Sequence, residues 1–252
     1  MARVDLLGVE VDLLTMCELN KKVYELVSKG KCSIVANHNL HSIYLFHRDK
    51  KMRLFYSRAS VIHIDGMALV MWGRLLGLPL RPEHRIAYID WIYPLMEMAS
   101  THGWRVFYLG GEPGVAELAA NKLKEKYPCL QIRTHHGYFD WSESDDILKL
   151  ISEWSPQLLL VGMGMPRQEH WVIDFYERIS ANVILNAGAC FDYLAGAKPT
   201  PPRWLGKIGL EWLYRLFTEP KRLFKRYLVE PWFLIPLAVQ DLVNRISRGR
   251  TV

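Results

Sequence analysis

Several features that would place a protein in a class at once are missing from this sequence of 252 residues. It has no apolar run near the roughly 20 residues that a membrane-spanning helix needs, and the longest late run, Trp232 to Val239, is interrupted by Pro236. The first residues contain no long apolar stretch, so we expect no signal peptide. A P-loop is excluded because no Gly-x-x-x-x-Gly-Lys-Ser/Thr segment is present, and Gly162-Met163-Gly164 lacks the third glycine of the dinucleotide fingerprint.

Disulfide and metal signals are also scarce. The sequence has four cysteines and nine histidines, without a Cys-x-x-Cys pair, a zinc-ligand spacing or an Asp-x-Asp motif. Because 50% of the residues are hydrophobic, the chain can bury a full core and needs no disulfide framework. Reduced cysteines, as in cytoplasmic proteins, are the better interpretation.

The positive charge is concentrated near the C-terminus. The formal net charge is +6, and the residues after Pro202 have ten cationic and four anionic side chains, which accounts for the whole excess. A neutral body with a basic tail indicates contact with something anionic: phosphate, an acidic membrane surface or nucleic acid. The ten cations are Arg203, Lys207, Arg215, Lys221, Arg222, Lys225, Arg226, Arg245, Arg248 and Arg250.

Short apolar runs alternate with amphipathic stretches along the chain, and this alternation predicts the fold. Helices are expected over 89–100, 115–127 and 166–179, with strands before and between them. The pattern predicts an α/β protein with a Rossmann-like, mainly parallel sheet and helices on both faces. A Pro-rich linker at 197–202 divides a core, 1–202, from a basic helical C-terminal appendage, 203–252. The predicted strands cover 33–36, 61–64, 106–109, 158–161 and 183–185.

Small and polar residues follow four of these strands, where ligands bind in such folds. Glycine lets a backbone approach a ligand closely, and a helix N-terminus favours anions, so the turns suggest a nucleotide or sugar-phosphate site. Plain tight turns explain either glycine cluster equally well when it is taken alone. The segments are Asn37-His38-Asn39, Asp65-Gly66, Gly110-Gly111-Glu112-Pro113-Gly114 and the run from Gly162 to Glu169.

The polar residues at these strand ends have structural alternatives. The carboxylate of Asp65 suits a general base at the edge of the sheet. On spacing alone, however, an N-cap for the helix that begins near Met67 is the better interpretation. Asn37 and Asn39 would point the same way in an extended chain and could face one ligand, or they could serve a turn.

The basic tail contains a cationic and aromatic segment. Arg215, Arg222 and Arg226 recur at intervals of seven and four, so they share one helix face if the turn at Pro220 keeps the register. Such a face fits a bilayer surface or a diphosphate headgroup. A solvated charged face is the alternative, and the charge asymmetry and the apolar run after Trp232 count against it.

Taken together, these segments resemble the WecG/TagA/CpsF family of glycosyltransferases from Asn39 to Tyr227. The most specific pieces are the run from Val161 to Glu169 and Glu211-Trp212-Leu213-Tyr214-Arg215. The other pieces are Asp65-Gly66, Arg85 with Asp90, Leu109-Gly110-Gly111, Gly137-Tyr138-Phe139, Phe191-Asp192 with Ala195-Gly196, and Glu219-Pro220-Lys221-Arg222.

The resemblance implies an inverting, metal-independent transfer of a sugar from a UDP-sugar to a polyprenyl-diphosphate-linked saccharide, in surface polysaccharide synthesis. It assigns Asp65 as catalytic base, Asn39 as a polar residue beside the reacting sugar, and Arg215, Arg222 and Arg226 as the diphosphate-binding cations. No metal or other cofactor is expected. For Gln168 and Glu169, contact with the donor is preferred to helix capping. The residues expected to bind the donor are Asn37, Gly66, Arg85, Asp90, Gly110, Gly111, Glu112, Tyr138, Gly162, Met163, Gly164, Pro166, Gln168 and Glu169.

The resemblance also predicts the partners and the location. We expect an anionic membrane surface as a partner, no nucleic acid, and a peripheral position on the cytoplasmic face of a bacterial plasma membrane; a homo-oligomer is left open. Asn37, Tyr88 and the segment 200–204 depart from the family pattern, so N-acetylmannosamine, its uronic acid and glucose all stay open as donor sugar. The rival interpretations are a nicotinamide-dependent oxidoreductase of the same fold class and a non-catalytic protein that binds a membrane surface.

Overall fold

The computed structural model describes residues 3–249, with the backbone alone at 207, 248 and 249. Of the predicted tail cations, Arg250 lies outside the described residues, as do the side chains of Lys207 and Arg248. The described part contains a sheet of six parallel strands in the order β4-β3-β8-β7-β5-β6. These strands are β3 Ser33–His38, β4 Ala59–Ile64, β5 Arg105–Gly110, β6 Gln131–His135, β7 Leu158–Gly162 and β8 Val183–Asn186.

All five predicted strands are confirmed, and two features of the strand pattern were missed. The first is β6, an edge strand in which Ile132 is buried between exposed Gln131 and Arg133, so that it has no apolar run. The second is an antiparallel hairpin of β1, Arg3–Leu6, and β2, Val9–Asp12. Its last residue, Asp12, accepts a hydrogen bond from the backbone N–H of Ile62 at 2.8 Å and so joins the hairpin to edge strand β4.

Helices cover both faces of the sheet, as predicted. One face packs against α1, α5, α6 and α9, and the other against α2, α3, α4, α7 and α8. The inner strands read as continuous apolar runs because both of their faces are buried. The helices are α1 Met16–Lys29, α2 Leu40–Arg48, α3 Lys50–Arg58, α4 Met67–Leu75, α5 Tyr88–Thr101, α6 Val115–Lys126, α7 Ser144–Trp154, α8 Arg167–Phe175 and α9 Cys190–Ala195.

The helix predicted over 166–179 is observed as α8 followed by a 3-10 turn, Tyr176–Arg178. Helix α1 shows how local sequence sets an element boundary. The side chain of Thr15 accepts from the backbone N–H of Glu18, whose carboxylate accepts from the N–H of Thr15 at 2.8 Å. This reciprocal cap begins the helix, and Gly30, with φ +66°, ends it.

The basic tail is helical and packs on the core. Its first helices are α10 Arg203–Lys207, α11 Glu211–Thr218 and α12 Pro220–Phe224. After α12 the chain forms a π-helical turn, Lys225–Val229, and a 3-10 turn, Glu230–Leu234. The last helix is α13 Ile235–Gly249.

Buried contacts tie this tail to the core. Leu234 joins the same apolar cluster as α2 and α4, and the carboxylate of Asp241 accepts from the backbone N–H of Leu7 at 2.8 Å and from Trp72 Nε1 at 3.0 Å. The division at residue 202 stays a prediction, since the two parts share buried contacts. Within residues 3–249, no helix is both long and apolar enough to span a bilayer.

Candidate functional site

A cleft of about 1000 Å³ opens at the carboxyl ends of the parallel strands. Because all six strands run in one direction, the residues that follow them meet at the same edge of the sheet, where open α/β folds bind ligands. The loops after β3, β4, β7 and β8 form its floor, and α11, α12 and the π-helical turn of the tail form one wall.

Asp65 lines this cleft and does not cap the following helix. Its backbone N–H donates to the carbonyl of His38 at 2.9 Å, which fixes it beyond the end of β4. Helix α4 begins after Gly66, and no side chain caps it. The interpretation as an N-cap, preferred from spacing alone, is therefore wrong.

The surroundings of Asp65 change its acidity. The pKa of the Asp65 carboxyl is raised to about 6, mainly by burial and also by the nearby Glu211 carboxylate, against the lowering effects of Arg85, Arg215 and Asn39. A carboxyl with this pKa is ionised at neutral pH and is still a stronger base than an ordinary aspartate. The geometry and the pKa thus both suit proton abstraction.

Asn39 has two roles at once. Its side-chain oxygen accepts from the backbone N–H of Ser42 at 3.1 Å and caps α2. Its side-chain nitrogen donates to Asp65 Oδ2 at 3.4 Å. The turn interpretation and the site interpretation of this residue are therefore compatible.

The glycine turns contribute close packing and cleft surface. A Cβ atom added to Gly110 would lie 2.4 Å from the carbonyl oxygen of Gly162, and one added to Gly162 would lie 2.2 Å from the hydroxyl of Tyr108. Strands β5 and β7 can therefore approach at this point only without side chains. Gly111 and Gly164, both with φ above +70°, lie in the cleft lining.

Three arginines of the tail converge on the cleft although they lie on successive helical pieces. Arg215 is on α11 and is paired with Glu211 at 2.7 Å, while Arg222 is on α12 and is paired with Glu219 at 2.6 Å. Arg226 lies in the π-helical turn and has no ion pair among residues 3–249; burial and the two neighbouring arginines lower its pKa. The cleft thus has a cationic wall opposite the strand ends.

The structure places the predicted donor-binding residues in two groups. One group lines the cleft: Asn37, Gly111, Glu112, Tyr138, Gly162, Met163 and Gly164. The other lies outside its lining: Gly66, Arg85, Asp90, Gly110, Pro166, Gln168 and Glu169.

The second group corrects several expected contacts. Gln168 and Glu169 are both fully buried under the floor, where Glu169 Oε1 accepts from Gln168 Nε2 at 2.7 Å. Arg85 donates to Glu211 of the tail at 2.5 Å, and Asp90 pairs with Arg203. Gln168 and Glu169 therefore do not face the cleft. Arg85 and Asp90 join the core to the tail, and a donor contact by either of them stays a prediction.

Several residues that line the cleft were not predicted from the sequence. Asn186 is the last residue of β8 and directly follows the apolar run 183–185, the same signal that identified Asp65, so it could have been found in that way. His41 Nδ1 lies 2.5 Å from Glu230 Oε2, across the seam between core and tail. This pair gives no sequence signal, because its members are 189 positions apart. Within the described residues, no group of three or more His, Cys, Asp or Glu side chains is arranged to hold a metal ion.

Comparison with known proteins gives a consistent result. The sequence model described as the glycosyl transferase WecG/TagA/CpsF family matches residues 4–248. A protein of Staphylococcus aureus (strain NCTC 8325 / PS 47) named N-acetylglucosaminyldiphosphoundecaprenol N-acetyl-beta-D-mannosaminyltransferase is 30% identical over 226 residues, which cover 88% of this chain and 87% of that protein. The proteins of the same name from strains COL and N315 show the same identity and coverage.

Proposed function

The chain belongs to the WecG/TagA/CpsF family of glycosyl transferases, and from that membership we propose that it transfers a sugar from a UDP-sugar to a polyprenyl-diphosphate-linked saccharide. The observation that carries this proposal is the position of Asp65, a carboxyl with a pKa of about 6, in the same cleft as three arginines. A base and a cationic wall are the two components that such a transfer needs.

The proposed reaction is a single displacement with inversion. The acceptor hydroxyl attacks the anomeric carbon of the donor sugar while the bond from that carbon to the UDP oxygen breaks. Asp65 takes the proton of the attacking hydroxyl, and UDP leaves with the electron pair. Inversion follows because attack and departure take place on opposite faces of the sugar.

The arginine wall is proposed to bind the diphosphates without a metal. Guanidinium groups bind phosphate oxygens in a bidentate way and neutralise developing charge on a leaving group. Arg226 supports this role because it is largely buried and has no carboxylate partner within residues 3–249. An anion in the cleft would supply that partner.

The relatives suggest the identity of both substrates. The Staphylococcus aureus proteins are named for transfer of N-acetylmannosamine to an N-acetylglucosaminyl-diphosphoundecaprenol acceptor. We therefore propose N-acetylmannosamine as the donor sugar ahead of its uronic acid and glucose, and an acceptor of the same lipid class.

A lipid-linked acceptor requires contact with a membrane, and the tail has a suitable surface. Phe217, Phe224 and Trp232 are 77%, 57% and 70% exposed. Lys225 directly follows Phe224, and Lys221 lies between Phe217 and Phe224 in the sequence. Apolar side chains with adjacent cations favour the surface of an anionic bilayer. We propose that the tail binds the inner leaflet and brings the cleft to the diphosphate of the acceptor.

Substitution of the base tests the function directly. Asp65→Asn is expected to reduce transfer of the sugar by about 100-fold or more, since general base catalysis contributes that much, while the affinity for UDP stays within about threefold. Transfer is measured with a radiolabelled UDP-sugar and a short-chain polyprenyl-diphosphate saccharide, and UDP binding by calorimetry. Asp146→Asn, on the exposed surface of α7, is the matched control. Normal turnover by Asp65→Asn would remove this residue from the base role.

A further inference from the structure

A chain of side-chain amides lies under the floor of the cleft, and it begins at a backbone donor. The N–H of Gly164 donates to Gln168 Oε1 at 3.2 Å. A backbone N–H can only donate, so the oxygen of the Gln168 amide must face it and the nitrogen must face the other way. That nitrogen donates to Glu169 Oε1 at 2.7 Å.

The same carboxylate oxygen orients a second amide. Asn186 Nδ2 donates to Glu169 Oε1 at 3.1 Å, so Asn186 turns its carbonyl oxygen away from Glu169. Asn37 Nδ2 then donates to this oxygen at 3.3 Å and to the main-chain carbonyl of Asn186 at 3.3 Å. The direction of donation is therefore fixed along the whole chain, from Gly164 to Asn37.

Two acceptors of this chain have no hydrogen-bond partner among the described residues. One is Glu169 Oε2, which is buried and lies outside the lining of the cleft, and the other is at the end of the chain. Asn37 Oδ1 has no hydrogen-bond partner, although Asn37 is only 2% exposed and lies in the lining of the cleft. The backbone at this position is fixed as well, because the hydroxyl of Tyr56 donates to the carbonyl of Asn37 at 2.7 Å. Buried acceptors are normally paired, so a free one in a ligand cleft points to a donor on the ligand.

The position of Asn37 indicates which part of the ligand meets it. Asn37 of β3 pairs with His63 of β4, and His63 is two residues before Asp65. Asn39, two residues after Asn37, donates to Asp65. The free oxygen therefore lies near the proposed base and not at the far end of the cleft. In the proposed reaction the base acts beside the anomeric carbon, so the sugar ring of the proposed donor would lie at that point.

We propose that Asn37 accepts a hydrogen bond from a hydroxyl or amide N–H of the donor sugar, and that Glu169, acting through Asn186, is the positioning residue that keeps this acceptor turned toward the cleft. This inference rests on the proposed function. It makes Asn37 selective for a donating group, because its own NH₂ is held by Asn186.

Replacing the carboxyl tests the positioning role. Glu169→Leu removes the oxygen that orients Asn186, so we expect kcat/KM for the UDP-sugar to fall by about 10- to 100-fold, the effect of one unpaired buried polar group. The affinity for UDP alone should stay within about threefold, because that ligand lacks the sugar. Glu169→Gln keeps an accepting oxygen and is expected to recover most of the loss.

Donor analogues identify the group that Asn37 contacts. Analogues that lack one sugar hydroxyl or the amide N–H are compared in the wild-type protein and in Asn37→Leu. We expect one analogue to lose about 10- to 100-fold in kcat/KM with the wild type and no more than about threefold with Asn37→Leu. Asn37→Leu leaves Glu169 and Asn186 in place, so it also serves if Glu169→Leu does not fold.

The outcomes separate this inference from the function on which it rests. If the wild type transfers the sugar and both leucine variants discriminate among the analogues as the wild type does, the inference is wrong and the function stands. If the wild type binds neither UDP nor any UDP-sugar, the proposed function is wrong, and the inference is wrong with it.

Discussion

At the scale of single residues, opposing influences on Asp65 set the chemistry of the cleft. Burial and Glu211 disfavour its ionised form, whereas Arg85 and Arg215 favour it, and the pKa that results is about 6. Neither the partners nor the burial could be predicted from the sequence, in which spacing alone favoured an N-cap for the same residue. The carboxyl is identified as a candidate base by where the fold puts it.

The pH dependence of transfer follows from this pKa. The base must be ionised, so kcat/KM is expected to be constant above the pKa and to fall tenfold per pH unit as the pH drops below about 6. The measurement is a pH profile of kcat/KM for the UDP-sugar, with vesicle-bound acceptor in excess. An acid limb near the ordinary aspartate value of about 4 would show that Asp65 is not the titrating base.

At the scale of secondary-structure elements, α11 is the link between tail and cleft. Glu211 accepts from Arg85 of the core at 2.5 Å and from Arg215 of its own helix at 2.7 Å. Arg85 and Glu211 have side chains only 10% and 13% exposed, so each requires the other as a partner. One carboxylate thus holds the helix on the core and orients a cleft arginine.

Removing that carboxylate should loosen α11. Glu211→Gln removes the nearer of the two carboxylates beside the buried Arg85, since Asp90 Oδ2 lies 3.9 Å away, and this costs up to about 3 kcal/mol. We expect faster tryptic cleavage after Arg215 and Lys221, and an acid limb of kcat/KM displaced to lower pH, because Glu211 raises the pKa of Asp65 while Arg85 and Arg215 lower it.

Glu10→Gln is the control variant for Glu211→Gln. Glu10 forms an exposed ion pair with Arg3 in the N-terminal hairpin, far along the chain from α11. Exposed pairs contribute little, so cleavage and the acid limb should match the wild type. Unchanged proteolysis and an unchanged acid limb in Glu211→Gln would contradict the linking role of α11.

At the scale of the whole molecule, charge and apolar surface are concentrated on one part. The basic tail provides the cationic wall of the cleft, and it also carries large exposed apolar side chains. Truncation after Pro202 would remove the cationic wall and the exposed apolar side chains together, and it would also expose the core surface that Leu234 covers. Its effects on membrane contact, on ligand binding and on folding could not be separated. Substitutions on the exposed face separate membrane contact from folding.

Membrane contact is tested with the double variant Phe217→Ser and Trp232→Ser. Both side chains are mostly exposed, so stability should change little, whereas binding to vesicles that contain anionic lipid should weaken about tenfold or more. Binding is measured by vesicle sedimentation, with calorimetry of UDP to show an intact cleft. Leu118→Ser, a 48% exposed leucine on α6, is the control. Equal sedimentation of the double variant and the wild type would exclude this face as the membrane contact.

Local sequence patterns predicted five of the six strands of the sheet and three of the helices around them. Apolar runs such as Leu158 to Val161 and caps such as Thr15 with Glu18 depend on residues that are close along the chain, and their periodicity specifies an element without knowledge of its neighbours. The resemblance to the family also depends on such local motifs. The edge strand β6 was missed because an edge strand needs few apolar residues.

The pairing of polar groups follows from the packing of the whole fold and not from any local pattern. Asn37 and Asn186 are 149 positions apart, and Arg85 and Glu211 are 126 apart, yet each pair is within hydrogen-bond distance. Glu169 was expected to contact a ligand, but its helix turns it under the floor. Hydrogen bonds and pKa shifts depend on distance and burial in three dimensions, and these follow from how the strands and the tail pack, which no local pattern specifies.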